Sequence, residues 1–233
     1  MGTDHRKRIE QVIARYEAGG LGVIDARVTR QQLRDGPGGE LARLRTGEAR
    51  ADDVEYALAY LELDPFYFRS GYTRNRVAGH LSLQRLDETQ RERARALVRQ
   101  AVDGARHTPF PGIARLAGSV ADNALRRALR ARLHSSDPHV ARRALRTLVH
   151  VKRPGYTPAD IGVARRVIVA GAGRWQWLTP EDYRLATRFW THAWEAELRD
   201  VAQDHGPERA GATRLLEAMV RRHERSEEKR AGL

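Results

Sequence analysis

Arginine doublets recur at Arg126-Arg127, Arg142-Arg143 and Arg165-Arg166, with Arg130 and Arg146 following the first two at helical spacing. Arginine is the side chain whose planar fork gives a phosphate two parallel hydrogen bonds, so the pattern points to phosphate recognition. Residues 115–166 hold twelve basic residues against Asp122, Asp137 and Asp160. The whole chain of 233 residues has a formal net charge of +12, so most of its excess lies in this stretch. A field of that sign attracts nucleic acid, an anionic surface or an acidic protein. Two further positions suit the same chemistry: Arg69 follows the aromatic run Phe66-Tyr67-Phe68, and Arg174 precedes Trp175. An aromatic ring beside a guanidinium can stack on a base while the cation holds the backbone.

Other chemistries find less support. The chain has no cysteine, which removes thiol nucleophiles, thiolate metal sites and disulfides. The nine histidines form no metal-ligand spacing, and neither "GAGRW" nor "GPGG" is a nucleotide-binding glycine loop. No Ser/His/Asp order stands out. We therefore assign no catalytic residue, no metal and no cofactor, and the reading favours a protein that is not an enzyme. Without cysteine, a signal-like leader or a run of about 20 apolar residues, the expected setting is the cytoplasm, away from membranes.

The arginines must be held by helices. Apolar residues recur with helical period almost throughout, and repeated period-2 runs are missing. Ile9, Val12, Ile13 and Tyr16 form the first stripe; Val54, Ala57, Leu58 and Leu61 form another. "LGVIDARVTR" reads as a short strand or loose turn. Asp64-Pro65 reads as a helix start, with Ser70-Gly71 stopping a short turn and Thr73 capping the next helix. Asp87 and Gln90 read as a capping pair. Helices are expected near 112–119, 123–134, 138–151 and 158–170. A further pattern runs unbroken through "YRLATRFWTHAWEAELRDVA", and a last helix covers 207–225. The chain reads as a single α-helical domain, with a helical lead-in over 1–35, stacked helices over 40–225 and a frayed tail over 226–233.

Leu125, Ala128, Leu129 and Leu133 form one core stripe, so Arg126, Arg127 and Arg130 face away from it. Val140, Ala141, Ala144, Leu145 and Leu148 do the same for Arg142, Arg143 and Arg146. The segment "LHSSDPHVARRALRTLVH", residues 133–150, resembles the second-helix start of a HEAT-type repeat. Asp137 caps, Pro138 fits the first turn, and Val140, Ala144 and Leu148 pack. The resemblance implies an α-solenoid, in which stacked helix pairs present a curved binding surface. The alternative is an irregular helical bundle.

Most aromatics outside the doublets read as packing. Phe66, Phe68 and Tyr72 suit a hub between helices, with Tyr72 locking the next helix entry, and the alternative is that Tyr67, Arg69 and Tyr72 present a base-stacking or phosphate-gripping edge; Phe189, Trp190 and Trp194 share a stripe with Ala186 and Ala193. Trp175 and Trp177 sit in a glycine-flanked loop. A class of bacterial DNA glycosylases that excise alkylated bases is similar in helical content and charge. That resemblance implies a carboxylate beside aromatics; Asp182, Glu195, Glu197 and Asp64 are adjacent to such rings, but none stands at the spacing of that family's pocket. The expected function is non-enzymatic binding of nucleic acid, most simply duplex DNA, through the arginine ridge, in DNA protection, repair or self-resistance. The alternatives are an adaptor or immunity-type protein for an acidic partner, and an alkylpurine glycosylase.

Overall fold

The computed structural model describes residues 2–18, 23–64, 70–104, 111–174 and 180–230, with side chains described for 4–18, 27–29, 31–64, 71–104, 111–173 and 184–221. The described residues form thirteen α-helices and no strand. The all-α expectation is thus met.

The chain divides into two compact units, residues 1–126 with 150–153, and residues 127–149 with 154–233. The first contains α1 (Gly2–Glu17), α2 (Val23–Asp35), α3 (Glu40–Thr46), α4 (Ala51–Leu63), α5 (Ser70–Leu81), α6 (Glu88–Asp103) and α7 (Pro111–Val120). Here α1 and α3 pack on α4, while α5 and α6 pack on α7. Tyr56, Tyr60, Leu58, Leu81 and Leu116 are fully buried, and their removal from water supplies the main stabilising term. Gly112 lets α5 and α7 touch: its N–H donates to Asn75 Oδ1 at 2.6 Å, and a Cβ there would collide with the Asn75 carbonyl.

The division between units falls within α8 (Asn123–Leu133). The second unit continues with α9 (Pro138–His150), α10 (Pro158–Arg174), α11 (Pro180–Phe189), α12 (His192–Gln203) and α13 (Arg209–Arg230). Helices α10, α11 and α12 all pack on α13. Gly211 makes the α10–α13 approach possible, since a Cβ would strike the Val169 carbonyl. The buried leucines of the second unit include Leu129, Leu133, Leu145, Leu148, Leu198 and Leu215.

Several local expectations need correction. Residues 23–35 are helical rather than strand or turn. Their β-branched residues suggest extended chain, but Thr29 and Leu33, one helical turn apart, are both buried. Packing of that stripe overrides local propensity. Asp64 ends α4 rather than starting a helix: it sits in the left-handed region at φ 49, which Asp tolerates better than most residues, and pairs with Arg74. Thr73 lies inside α5 and so caps nothing. The run expected to be one helix breaks at Thr191, whose hydroxyl accepts the Trp194 N–H and opens α12. Helix α13 continues to Arg230, past the expected end at 225 and into the segment expected to fray. The Asp87–Gln90 capping box is present as expected, and α7 to α9 start and end within one residue of their expected limits.

Candidate nucleic-acid interface

The candidate site is built on α8, α9 and α10. Asp122 opens α8 by accepting the Leu125 N–H at 2.7 Å. Leu125, Leu129 and Leu133 then turn inward with no exposed surface, which leaves the arginines on the remaining arc. Arg127 is exposed, and Arg126 and Arg130 are half-buried. Arg126 donates to Asn123 Oδ1 at 2.8 Å. Arg130 reaches further, donating to the Gly155 carbonyl at 2.6 Å, and so ties α8 to the turn before α10.

Helix α9 starts where the sequence indicates. Asp137 accepts the His139 N–H at 2.8 Å, and Ala141, Ala144, Leu145 and Leu148 are buried. Arg142, Arg143 and Arg146 are half-buried and engaged by their surroundings. The Arg142 guanidinium lies over Gly171 of α10, within about 3 Å of where a Cβ would project. Helix α10 is capped by Thr157 and Asp160. Asp160 is buried and accepts from the Thr157 N–H at 2.8 Å, the Thr157 hydroxyl at 2.8 Å and His134 Nε2 at 2.7 Å. Burial alone pushes its carboxyl up; the bonds from Thr157 and His134 outweigh that and hold it below the ordinary carboxylate value.

The doublet on α10 splits. Arg166 is exposed, whereas Arg165 is drawn inward by α11 and α12. Arg165 donates to the Thr191 hydroxyl at 2.8 Å, lies 5.3 Å from the Trp194 ring centroid and is 3.8 Å from Glu197. A guanidinium over an indole face is held by the ring quadrupole. The Tyr156 ring meets Phe189 edge-on at 5.2 Å, and burial raises the Tyr156 phenol to about 12.

Periodicity alone placed all these arginines outward. The structure separates them: Arg127 and Arg166 are the exposed pair, while Arg130 and Arg165 also fasten neighbouring elements. Two cations of the same fastening kind carried no signal in the sequence. Arg188 donates to the Val149 carbonyl at 2.9 Å, and Arg214 donates to the Ala172 carbonyl at 2.9 Å. A carbonyl partner is a backbone group and leaves no trace in residue types.

Arg69 and Trp175 lie outside the described residues, as do Phe66, Tyr67, Phe68, Trp177 and the side chains of Arg174 and Asp182. Tyr72 is 67% exposed, so it is not the packing lock expected of it. Phe189 and Trp194 are buried as expected, and Trp190 packs edge-on against Trp194 at 5.6 Å. Ala193, expected on their stripe, is exposed because Thr191 restarts the helix. Glu195 is occupied by Arg199 at 2.7 Å, and Glu197 is exposed to solvent. No helix among the described residues is long and apolar enough to cross a membrane.

Compared with protein-family models, with curated proteins and with solved structures, the chain matches none.

Proposed function

We propose that the protein is a non-enzymatic nucleic-acid-binding protein that grips the phosphates of duplex DNA with the arginines of α8, α9 and α10. One observation carries this reading: the three carboxylates in residues 115–166 are all committed to helix starts. Asp122 holds the Leu125 N–H and faces Arg95, Asp137 holds the His139 N–H, and Asp160 is buried among Thr157 and His134. The arginines Arg126 and Arg130 meet an amide oxygen and a carbonyl instead. Such partners satisfy N–H groups and leave the positive charge in place.

The reading takes the helices around α8 and α9 as a HEAT-type stack and places the protein in the cytoplasm. Its biological setting would be protection or repair of DNA. The Glu195–Arg199 pair is one reason to set the glycosylase alternative aside, since an occupied carboxylate is a poor candidate for stabilising a cationic sugar.

Fluorescence anisotropy with a short duplex tests the proposal. Each phosphate contact contributes a slope of about −0.9 in log K against log salt, so six contacts give a loss of roughly three decades between 50 and 200 mM. A steep linear loss is expected. Binding that is absent at 50 mM salt, or unchanged by salt, removes DNA as the partner and turns attention to an acidic protein.

A further inference from the structure

A second cluster of cations lies in the first unit and contains none of the arginines that the doublet pattern singled out. A small pocket is walled by Arg34 of α2, Arg45 of α3, and Thr73, Arg76 and His80 of α5, over an apolar floor of Leu41 and Val77. Asp35 is the carboxylate bonded to these arginines, at 3.4 Å from Arg34 and 3.3 Å from Arg45. Arg76 is exposed and forms no ion pair among the described residues. Arg115 of α7 adds a further cation, its guanidinium lying against Gly79 and its charge acting on His80. Asp35 thus pairs with two of the four guanidinium groups, and Arg76 and Arg115 form no ion pair among the described residues.

The field inside the cluster leaves a mark on His80. Burial first, then the charges of Arg76, Arg45 and Arg115, hold its imidazole below the ordinary value. Arg76, the Thr73 hydroxyl and the His80 imidazole offer donors beyond those that Asp35 and Gln31 accept from Arg34 and Arg45, and a tetrahedral oxyanion supplies several acceptors. The buried floor excludes water from one side, which strengthens each charge-assisted bond.

We infer that this pocket is a phosphate site, taking inorganic phosphate or a phosphomonoester dianion through Arg34, Arg45, Arg76 and Thr73. The dianion balances the local excess left by Asp35 and gives His80 an acceptor. The site is independent of the DNA-binding reading, because none of its residues lies on α8, α9 or α10.

Calorimetric titration of the full chain with inorganic phosphate at constant ionic strength tests it. One saturable site is expected, weakened about ten- to a hundredfold by Arg76→Ala, the loss typical of a bond between charged groups. Arg76 is exposed, so this variant keeps its fold. Arg184→Ala, at an exposed arginine of α11, is expected to leave phosphate affinity unchanged. In proton NMR, phosphate raises the pKa of the imidazole signal that His80→Asn removes, since a neighbouring anion favours the charged ring. Titration with phenyl phosphate separates the two sources: tighter binding than phosphate assigns a phosphomonoester, and equal or weaker binding assigns the free ion. Absence of saturable binding overturns the inference. So does an equal loss in Arg76→Ala and Arg184→Ala, which would mean diffuse attraction, or an Arg76→Ala variant that binds like the parent.

Discussion

Helices α6 and α8 carry four arginines each, and they use them differently. On α6, Arg93 is clasped by Glu55 at 2.6 Å and Glu62 at 2.7 Å. Arg95 is buried among Glu88, Glu92 and Asp122, and also donates to the Val120 carbonyl. Arg91 and Arg99 pair with Glu88 and Glu92. Helix α8 contains no acidic residue at all. Arg130 and Arg132 donate to carbonyls, Arg126 to an amide, and Arg127 is exposed. Both sets satisfy hydrogen bonds, but the α6 arginines meet carboxylates, while Arg126 and Arg130 meet neutral oxygens and keep their charge. Counting arginines is therefore a poor guide to a binding face, whereas asking whether each donates to a carboxylate or to a carbonyl is informative.

The largest effect that tests this contrast is on stability. Arg95→Ala removes a buried guanidinium and strips the Val120 carbonyl of its donor, and should cost about 3 kcal/mol in urea unfolding. A loss below about 1 kcal/mol would mean that the α6 network is ornamental and the contrast false. Next in size is Arg165→Ala, which loses the Trp194 face and the Thr191 hydroxyl. The expected cost is about 1–2 kcal/mol, visible as a lowered urea midpoint.

A smaller effect depends on pH. The Asp160 carboxyl is held below the ordinary value of 3.8, so its bonds add stability that is present above that value and lost as pH falls through the lower, folded one. Asp160→Asn should cost about 1 kcal/mol at pH 7, and the gap to the parent should shrink below about pH 4. A gap that stays constant with acid would show that Asp160 acts by shape alone. The smallest effect is the informative one: Arg127→Ala should change stability by under about 0.5 kcal/mol, because it is exposed and bonds to no described neighbour.

What the sequence made legible was local. Asp87 and Gln90 sit three apart and bond each other's backbone, so both halves of the signal are adjacent in the chain. The core stripe of α8 was equally plain, since Leu125, Leu129 and Leu133 need only helical spacing. Residues 23–35 misled because Thr29 and Leu33 are buried by tertiary packing that no window of sequence contains. Asp64 misled because Asp-Pro serves a helix start as readily as the left-handed end of one. For the site, the doublets located the right helices but could not tell Arg127 from Arg130. The difference lies in Gly155, 25 residues away, whose carbonyl is the same in every residue type.

The most direct test compares charge reversal on the two helices. Arg91→Glu on α6 and Arg127→Glu on α8 make the same change at exposed arginines, and duplex DNA affinity is measured for both at 50 mM salt. Arg127→Glu should weaken binding several-fold and lower the salt slope by about one contact, while Arg91→Glu leaves both close to the parent. Equal losses from the two variants, or a loss confined to Arg91→Glu, would contradict a phosphate grip on α8.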